Sequence, residues 1–263
     1  MPESVRLIDT HCHLTFSPLI DDIEQVIARS KAAGVTSWIT VGTDLQHSRQ
    51  AIALAERFEG MYASVGIHPH DAKHATADAL AELRGLAAHD KVVAIGETGL
   101  DFHYNFSQQS DQRRIFAAHL DIAKQLDLPV IIHSREAFDE TMEILDQLGS
   151  GLRRVVFHCF SGTAEQAKIV LDKGYYISFT GVVTFKNAEI ARRAAMVVPV
   201  ERLMLETDCP YMSPEPMRKQ KVNEPAFMIH TAKFAAQLKG MDFEDFARVV
   251  TCTSRTFFNL PQI

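Results

Sequence analysis

The sequence predicts a TIM-type (β/α)8 barrel with additional C-terminal helices. A length of 263 residues is usual for a barrel of one domain. Eight short apolar runs recur along the chain, and turn residues and a longer amphipathic stretch follow each run. Strands that alternate with helices pair in parallel through βαβ crossovers. We therefore expect a single domain covering residues 1–263.

The apolar runs are the predicted strands, and they begin near Arg6, Val35, Tyr62, Val92, Val130, Val155, Tyr176 and Leu203. Among the predicted helices, the stretch from Asp111 to Leu126 carries its apolar residues on one face. From Glu224 onward the pattern predicts two further helices, the last of them capped by Asp242. A doubly wound open sheet is the alternative, but it typically has a glycine-rich phosphate loop after its first strand, which this sequence lacks.

Charge and cysteine content narrow the function classes. The formal net charge of −6 argues against a broad basic face for nucleic acid, although metal ions and a few cations can hold such a substrate locally. No apolar run is long enough to span a membrane, and no Cys-x-x-Cys pair occurs. We expect a cytoplasmic protein with no membrane association and no obligate protein partner.

Ligand-type residues end five of the predicted strands. His11 and His13 follow the first strand and share one side of it, because alternate side chains of a strand point the same way. Alone, this pair is as readily a polar strand end as a metal site. The other strand-end residues are Glu97, His133, His158 and Asp208. The carboxyl ends of barrel strands converge on one mouth, and these six residues suit two divalent ions bridged by a carboxylate.

The strand-end residues belong to longer motifs. These are Asp9-Thr10-His11-Cys12-His13-Leu14, Gly66-Ile67-His68-Pro69-His70, Gly96-Glu97-Thr98-Gly99-Leu100-Asp101, His133-Ser134-Arg135, His158-Cys159-Phe160-Ser161-Gly162 and Glu206-Thr207-Asp208-Cys209-Pro210-Tyr211. In these motifs the chain resembles the TatD-type metal-dependent hydrolases of the amidohydrolase superfamily, over essentially its full length.

The resemblance implies a barrel, divalent metals and phosphodiester hydrolysis, commonly as a DNase with 3′-to-5′ exonuclease action. It also implies how the ligands divide between the ions. One ion takes His11, His13 and Asp208, the other takes His133 and His158, and Glu97 bridges the two. Several neighbouring branches of the superfamily bridge their metals with a carbamylated lysine, and no lysine occurs from Val92 to Asp101.

The predicted catalytic residues are Asp208 and Glu97. We expect two divalent ions, Zn²⁺, Mn²⁺ or Mg²⁺, and attack on phosphorus by a metal-bound hydroxide. Asp208 is predicted to receive or relay the proton of the attacking water. A role for Asp208 as a metal ligand alone is left open, because one carboxylate can serve either purpose.

The predicted substrate-binding residues are less specific. The guanidinium of Arg135 suits a phosphate, with an ion pair to a helix acid as the alternative. His68 and His70 are predicted to donate to the phosphate or leaving group, with a turn-forming role as the alternative. Asn223 follows a run containing the cations Arg218, Lys219 and Lys221, which resembles the family's basic loop. That run is either a site for the nucleic-acid backbone or a solvated stretch of charge.

Two residue pairs have weaker assignments. Asp9 and Glu206 share strand parity with His11 and Asp208, so we expect buried acids with partners, and orienting a metal-bound histidine is one such role. His103 and Tyr104, after the fourth strand, either stack a terminal base or pack together as a lid.

The predicted function is therefore a divalent-metal-dependent deoxyribonuclease acting on single-stranded DNA or another phosphate-ester substrate. An amide, ester or lactone hydrolase is the alternative, because fold and ligands do not fix the substrate. A non-enzymatic metal-binding protein is a distant alternative. A structural ion is closed by four ligands, and the set of six predicted ligands argues against a purely structural site.

Overall fold

The computed structural model describes residues 6–261 of the chain. Within that range eight strands alternate with helices, and the parallel strands keep chain order in the sheet. The strands are β1 (Leu7–Cys12), β2 (Val35–Val41), β3 (Met61–Val65), β4 (Val92–Asp101), β5 (Val130–Arg135), β6 (Val155–Phe157), β7 (Tyr176–Phe179) and β8 (Leu203–Leu205). The α-helices are α1 (Ile23–Ala32), α2 (Leu45–Arg57), α3 (Ala77–Ala87), α4 (Gln109–Leu126), α5 (Phe138–Leu148), α6 (Ala164–Asp172), α7 (Glu189–Val197), α8 (Met228–Leu238) and α9 (Phe243–Phe258).

This succession is that of a TIM-type (β/α)8 fold with additional C-terminal helices, which confirms the predicted fold class. Every strand begins within one residue of its predicted start. The two helices predicted after Glu224 are α8 and α9, and the Asp242 carboxylate caps α9 by accepting from the backbone N–H groups of Glu244 and Asp245. Among residues 6–261 no helix combines the length and apolar character needed to cross a membrane.

The described residues form two compact units, which fall within Met1–Thr40 with Cys159–Ile263 and within Val41–His158. In the first unit β1 pairs with β2 and β7 pairs with β8, all in parallel. Its core holds fully buried aromatic rings, among them Trp38 and Phe179. The indole N–H of Trp38 donates to the Ser30 hydroxyl at 2.8 Å, so its one polar group is satisfied inside the core. The expectation of a single domain stays a prediction.

The second unit carries four consecutive parallel strands, β3 to β6. Helix α4 packs on β4 and contributes the buried His119. The Nε2 atom of His119 accepts the backbone N–H of Ile67 at 2.9 Å, and its Nδ1 donates to the Ile115 carbonyl at 2.7 Å. Burial lowers the pKa of His119 to about 4, although the bond to Ile115 opposes this shift. The ring is therefore a neutral structural link to the segment after β3.

Three strands end two or more residues from the predicted place, and β1 and β6 each end one residue earlier than predicted. β4 continues past Glu97 to Asp101, because it pairs with β5 along the whole of that extension. β5 likewise continues two residues past His133. β8 is shorter than predicted and stops at Leu205, since the backbone beyond it bonds to side chains: the N–H and hydroxyl of Thr207 both donate to the Asp9 carboxylate.

Two glycines of β4 allow that strand to lie close to β5. Gly96 and Gly99 have φ values of 141° and 137°, a region that side chains disfavour. A Cβ atom at Gly96 would lie 2.6 Å from the Ile131 carbonyl oxygen, and one at Gly99 would overlap the carbonyl oxygen of His133. Glu97 lies between these glycines, at a register irregularity of the β4–β5 pairing. The backbone that presents Glu97 therefore requires glycine on both sides.

Candidate metal centre

In the first unit, three of the predicted metal ligands converge. The Nε2 atoms of His11 and His13 are 3.3 Å apart, and the Asp208 Oδ1 atom lies 3.1 Å from His13 Nε2 and 3.7 Å from His11 Nε2. The backbone fixes this arrangement, because the Asp208 N–H donates to the His11 carbonyl and the His13 N–H to the Cys209 carbonyl. Asp208 has φ 51°, which turns the chain at the ligand itself. We call these residues the first cluster.

Two buried acids hold the backbone around the first cluster. The Asp9 carboxylate accepts the Thr207 N–H at 2.9 Å and the Thr207 hydroxyl at 2.6 Å. Burial raises the pKa of Asp9 to about 7, although the bonds from Thr207 oppose the shift. Glu206 accepts the Cys159 N–H and the Ser178 hydroxyl, both at 2.6 Å. As expected, these buried acids have partners, and the partners include backbone N–H and hydroxyl groups at strand ends.

In the second unit, three imidazoles surround one carboxylate oxygen. The Oε1 atom of Glu97 lies 2.8 Å from His133 Nδ1, 2.7 Å from His158 Nε2 and 3.4 Å from His68 Nε2. The ring nitrogens of His133 and His158 are 3.4 Å apart. We call Glu97, His133 and His158 the second cluster, with His68 beside it. His68 was predicted as a substrate contact, and its position here also suits a ligand.

Asp101 supports the second cluster, a role that was not predicted from the sequence. Its Oδ2 atom lies 3.1 Å from His133 Nε2 and 2.9 Å from His70 Nε2. Its Oδ1 atom accepts the backbone N–H groups of His103 and Tyr104, each at 3.0 Å. One sequence feature could have indicated this role. Asp101 lies four residues after Glu97, an even spacing that brings both carboxylates to the same side of a strand.

Hydrogen bonds between the carboxylates and imidazoles of the second unit shift their pKa values. The His70 and His133 hydrogen bonds outweigh the effect of burial and hold the pKa of Asp101 well below its usual range. Burial lowers the pKa of His133, but hydrogen bonds to Asp101 and Glu97 outweigh it and raise that pKa above its usual value. Burial lowers the pKa of His68 to about 4, against the attraction of Glu97. An anionic Asp101 favours a proton on His133 Nε2, which leaves Nδ1, the nitrogen that faces Glu97, as the one that would bind a metal ion.

Both clusters fit a divalent ion by the chemistry of their donors. Each combines imidazole nitrogens with a carboxylate, the ligand types of zinc and manganese sites. Ligand atoms at tetrahedral positions about 2.1 Å from zinc are roughly 3.4 Å from one another. The donor separations of 3.1–3.7 Å in the first cluster match that spacing. Three donors in a cluster also leave room for water or substrate, as catalytic ions require.

The predicted substrate contacts lie in different settings. Arg135 is exposed, with its guanidinium carbon 4.7 Å from the centroid of the Tyr104 ring. His70 bonds to Asp101 beside the second cluster. Asn223 is fully buried, and its amide donates to the Thr207 and Tyr211 carbonyls while its oxygen accepts the Glu224 N–H. These bonds give Asn223 the geometry of a loop anchor.

The cationic loop of the first unit is well anchored. Arg218, Lys219 and Lys221 are exposed, and the Arg218 guanidinium carbon lies 3.8 Å from the centroid of the Phe185 ring. Where the loop ends, the Glu224 carboxylate accepts bonds from Arg29 of α1, from Nε at 3.0 Å to each oxygen and from Nη2 at 2.7 Å. These contacts hold the loop in place, and its three cations are exposed to solvent.

Comparison with known proteins gives a family match over almost the whole chain. Residues 8–259 match the family described as TatD related DNase. A metal-dependent hydrolase of Bacillus subtilis, YabD, is 39% identical over 97% of this chain and 99% of its own length. The 3′-5′ ssDNA/RNA exonuclease TatD of Cronobacter sakazakii is 40% identical over 90% of this chain and 91% of its own.

Solved structures confirm the fold class. The crystal structure of YjjV, a TatD homologue from Escherichia coli K12, superposes with a TM-score of 0.91 at 32% identity, over 98% of this chain and 99% of that one. A TatD family hydrolase from Entamoeba histolytica has the same fold, with a TM-score of 0.90 at 24% identity, over 98% of this chain and 99% of that one. The protein is an enzyme, and its chain belongs to the TatD family of metal-dependent hydrolases.

Proposed function

We propose that the protein hydrolyses phosphodiester bonds of single-stranded DNA from the 3′ end. The observation that carries the proposal is the pair of clusters, in each of which imidazole nitrogens converge on a carboxylate oxygen at strand ends. The name of the C. sakazakii relative, a 3′-5′ ssDNA/RNA exonuclease, supports the same reaction. The cationic loop supplies the charge that an acidic chain needs to attract a polyanion.

Each cluster is proposed to hold one divalent ion, Zn²⁺, Mn²⁺ or Mg²⁺. His11, His13 and Asp208 are the ligands in the first cluster, and Glu97, His133 and His158 are those in the second. Bound ions neutralise the non-bridging phosphate oxygens, lower the pKa of water and stabilise the leaving oxygen. The bridging role of Glu97 stays a prediction.

Several side chains of the protein have proposed roles in proton transfer, in orienting a ligand and in binding the substrate. Asp208 is proposed to take the proton of the attacking water, because its side chain is 12% exposed and therefore reachable by solvent. Asp101 holds the imidazole of His133 in one orientation and one tautomer, so the ring is ready to bind without rearrangement. Arg135 and the cationic loop are proposed to hold the phosphate backbone.

Cleavage of end-labelled oligonucleotides tests the proposal. We expect a 5′-labelled single strand to shorten stepwise from its 3′ end, chelator to stop the reaction, and Zn²⁺, Mn²⁺ or Mg²⁺ to restore it. Single-stranded RNA, duplex DNA and a lactone panel are compared in parallel. His158→Ala should lose activity and bound metal together, whereas His89→Ala, which alters a surface pair with Glu56, should lose neither.

Three outcomes would contradict the proposal. Cleavage unaffected by chelator would remove the metal ions from the reaction. Hydrolysis of lactones without any cleavage of nucleic acid would move the protein to another branch of the superfamily. Metal binding without hydrolysis of any substrate would leave the site as a structural feature.

A further inference from the structure

Two aromatic side chains of the second unit stand in solvent beside the second cluster. Tyr104 and Phe106 follow β4 and are 47% and 55% exposed. Their ring centroids are 5.3 Å apart and their planes differ by 7°, so the two rings are stacked. Large apolar side chains held in the open commonly mark a binding surface. We call Tyr104, Phe106, His70 and Arg135 the aromatic shelf.

The shelf is joined to the second cluster by hydrogen bonds. The His70 ring meets Tyr104 and Phe106 edge-on, with centroid distances of 5.6 and 4.8 Å. His70 bonds to Asp101, and Asp101 bonds to the candidate ligand His133. A molecule seated on the shelf therefore lies next to the groups proposed to bind metal.

The backbone that carries the shelf is fixed. Asp101 accepts the N–H group of Tyr104, and the Asn105 side chain donates to the Phe102 carbonyl within the same turn. The Ser107 hydroxyl donates to the His70 carbonyl at 2.7 Å and accepts the Lys73 N–H at 3.1 Å. A ring held this way loses little freedom on binding, so stacking on it is efficient.

We propose that the aromatic shelf binds an unpaired nucleobase by stacking; this rests on the proposed nuclease function and deepens it. Every base offers a π-face, so aromatic rings hold single strands with little sequence preference. The Arg135 guanidinium, already over the Tyr104 ring, adds a plane that stacks on bases and a charge that suits the adjoining phosphate. A paired base within a duplex is already stacked on its neighbours, so the shelf favours single strands over duplex ends.

Removing one ring tests the shelf. Tyr104→Leu keeps the volume apolar but lacks a π-face. For wild type we expect a lower KM for an oligonucleotide with a 3′-terminal base than for the same strand with a 3′-terminal abasic site. In Tyr104→Leu that preference should fall by about tenfold, and Tyr104→Phe should restore it, because stacking needs the ring and not the hydroxyl.

The chain offers a matched control. Tyr62 is the second residue of β3 and has the Lys91 ammonium 5.8 Å from its ring centroid, so it is also a tyrosine paired with a cation. It lies at the amino end of its strand, away from the strand ends that carry the second cluster. Tyr62→Leu should therefore leave the preference for the base-containing strand at the wild-type value.

A binding measurement separates this proposal from the nuclease proposal. A strand with 2-aminopurine at its 3′ end is titrated with protein in chelator, where stacking quenches the emission of the base. Wild type should quench and Tyr104→Leu should not. If quenching depends on Tyr104 but no oligonucleotide is cleaved with any metal, the nuclease proposal fails while the shelf still binds bases.

Two results would contradict the proposal that the aromatic shelf binds a nucleobase. One is an active nuclease whose quenching and whose preference for a base over an abasic site are unchanged by Tyr104→Leu. The other is a wild-type dimer, seen by light scattering, that becomes monomeric in Tyr104→Leu with unchanged quenching. That second result would make the exposed rings an interface between copies of the chain.

Discussion

The Asp101 carboxylate and the His133 imidazole are joined by a hydrogen bond in which Oδ2 lies 3.1 Å from Nε2. The opposite nitrogen of that ring, Nδ1, lies 2.8 Å from Glu97. One histidine thus connects a buried acid to a candidate metal ligand. Because Asp101 also holds His70 and the turn of Tyr104, a single carboxylate orients both the second cluster and the aromatic shelf.

Asp101→Asn should weaken metal binding in the second cluster. An amide in this place either loses the acceptor that faces His133 or turns its donor toward the ring, so the tautomer is no longer fixed. Loss of such a partner typically costs 10- to 100-fold in metal affinity or activity, and we expect about that decrease in both. Metal titration and turnover measure it. Asp121→Asn, on the exposed face of α4, is the control, and equal metal affinity in the two variants would contradict the role of Asp101.

The strand-end ligands were predictable because their positions depend only on strand direction and parity. His11 lies in β1 and His13 lies one residue past its end, and their Nε2 atoms meet as the parity of alternate residues predicts. Asp208 meets them although β8 ends three residues earlier, since the bonds that Thr207 donates to the Asp9 carboxylate replace the expected strand. Sequence patterns do not encode such side-chain to backbone bonds.

The roles of Asp101 and Asn223 were not predictable for a related reason. Both are polar residues in motifs that resemble a family of hydrolases, and the motif alone does not say which face substrate. The structure shows Asp101 shared by two imidazoles and Asn223 bonded at both ends of its amide to backbone. These partners are visible only in the structure, and a contact between Asn223 and substrate stays a prediction.

Gly99→Ala should destabilise the protein strongly. The new Cβ would overlap the His133 carbonyl oxygen, and φ at this position is 137°. Strain and overlap together should lower the free energy of unfolding by about 2–5 kcal/mol, as measured in urea. Gly85→Ala is the control, because residue 85 lies in α3 with open space around it. That change should raise stability by about 0.5–1 kcal/mol. Similar effects at the two glycines would contradict a close β4–β5 approach.

Acid should destabilise the protein partly through His119. Its pKa is about 4 when folded, against 6.5 for the free side chain, so between these values the unfolded chain binds the extra proton. The contribution is fully present above about pH 7 and is lost as pH falls from 6.5 toward 4, by at most about 1.4 kcal/mol per pH unit. The difference in unfolding free energy between wild type and His119→Gln should show this slope in urea titrations from pH 4.5 to 8. Parallel curves for the two proteins would remove His119 as a cause.

The cationic loop should make DNA cleavage sensitive to salt. Each contact between a cation and a phosphate of a single strand contributes about 0.7 to the slope of log affinity against log salt. Changing Arg218, Lys219 and Lys221 together to Ala should therefore reduce the slope of log KM by about 1 to 2 in magnitude. Lys168→Ala, an exposed cation of α6, should leave the slope unchanged. An unaltered slope in the triple variant would assign those charges to the solvated surface alone.

Asp208→Asn separates the two roles open to Asp208. The amide keeps the shape of the side chain and an oxygen to face His13, but it cannot take a proton from water. If Asp208 is the base, turnover should fall by about 100-fold or more while the metal content per chain stays at the wild-type value. His13→Asn is the comparison, because its ring is proposed as a ligand only, and it should lose metal and turnover together. Elemental analysis and single-turnover cleavage of the same samples measure both quantities. A loss of metal from Asp208→Asn equal to that from His13→Asn would make Asp208 a ligand only, and the proton of the attacking water would then need another acceptor.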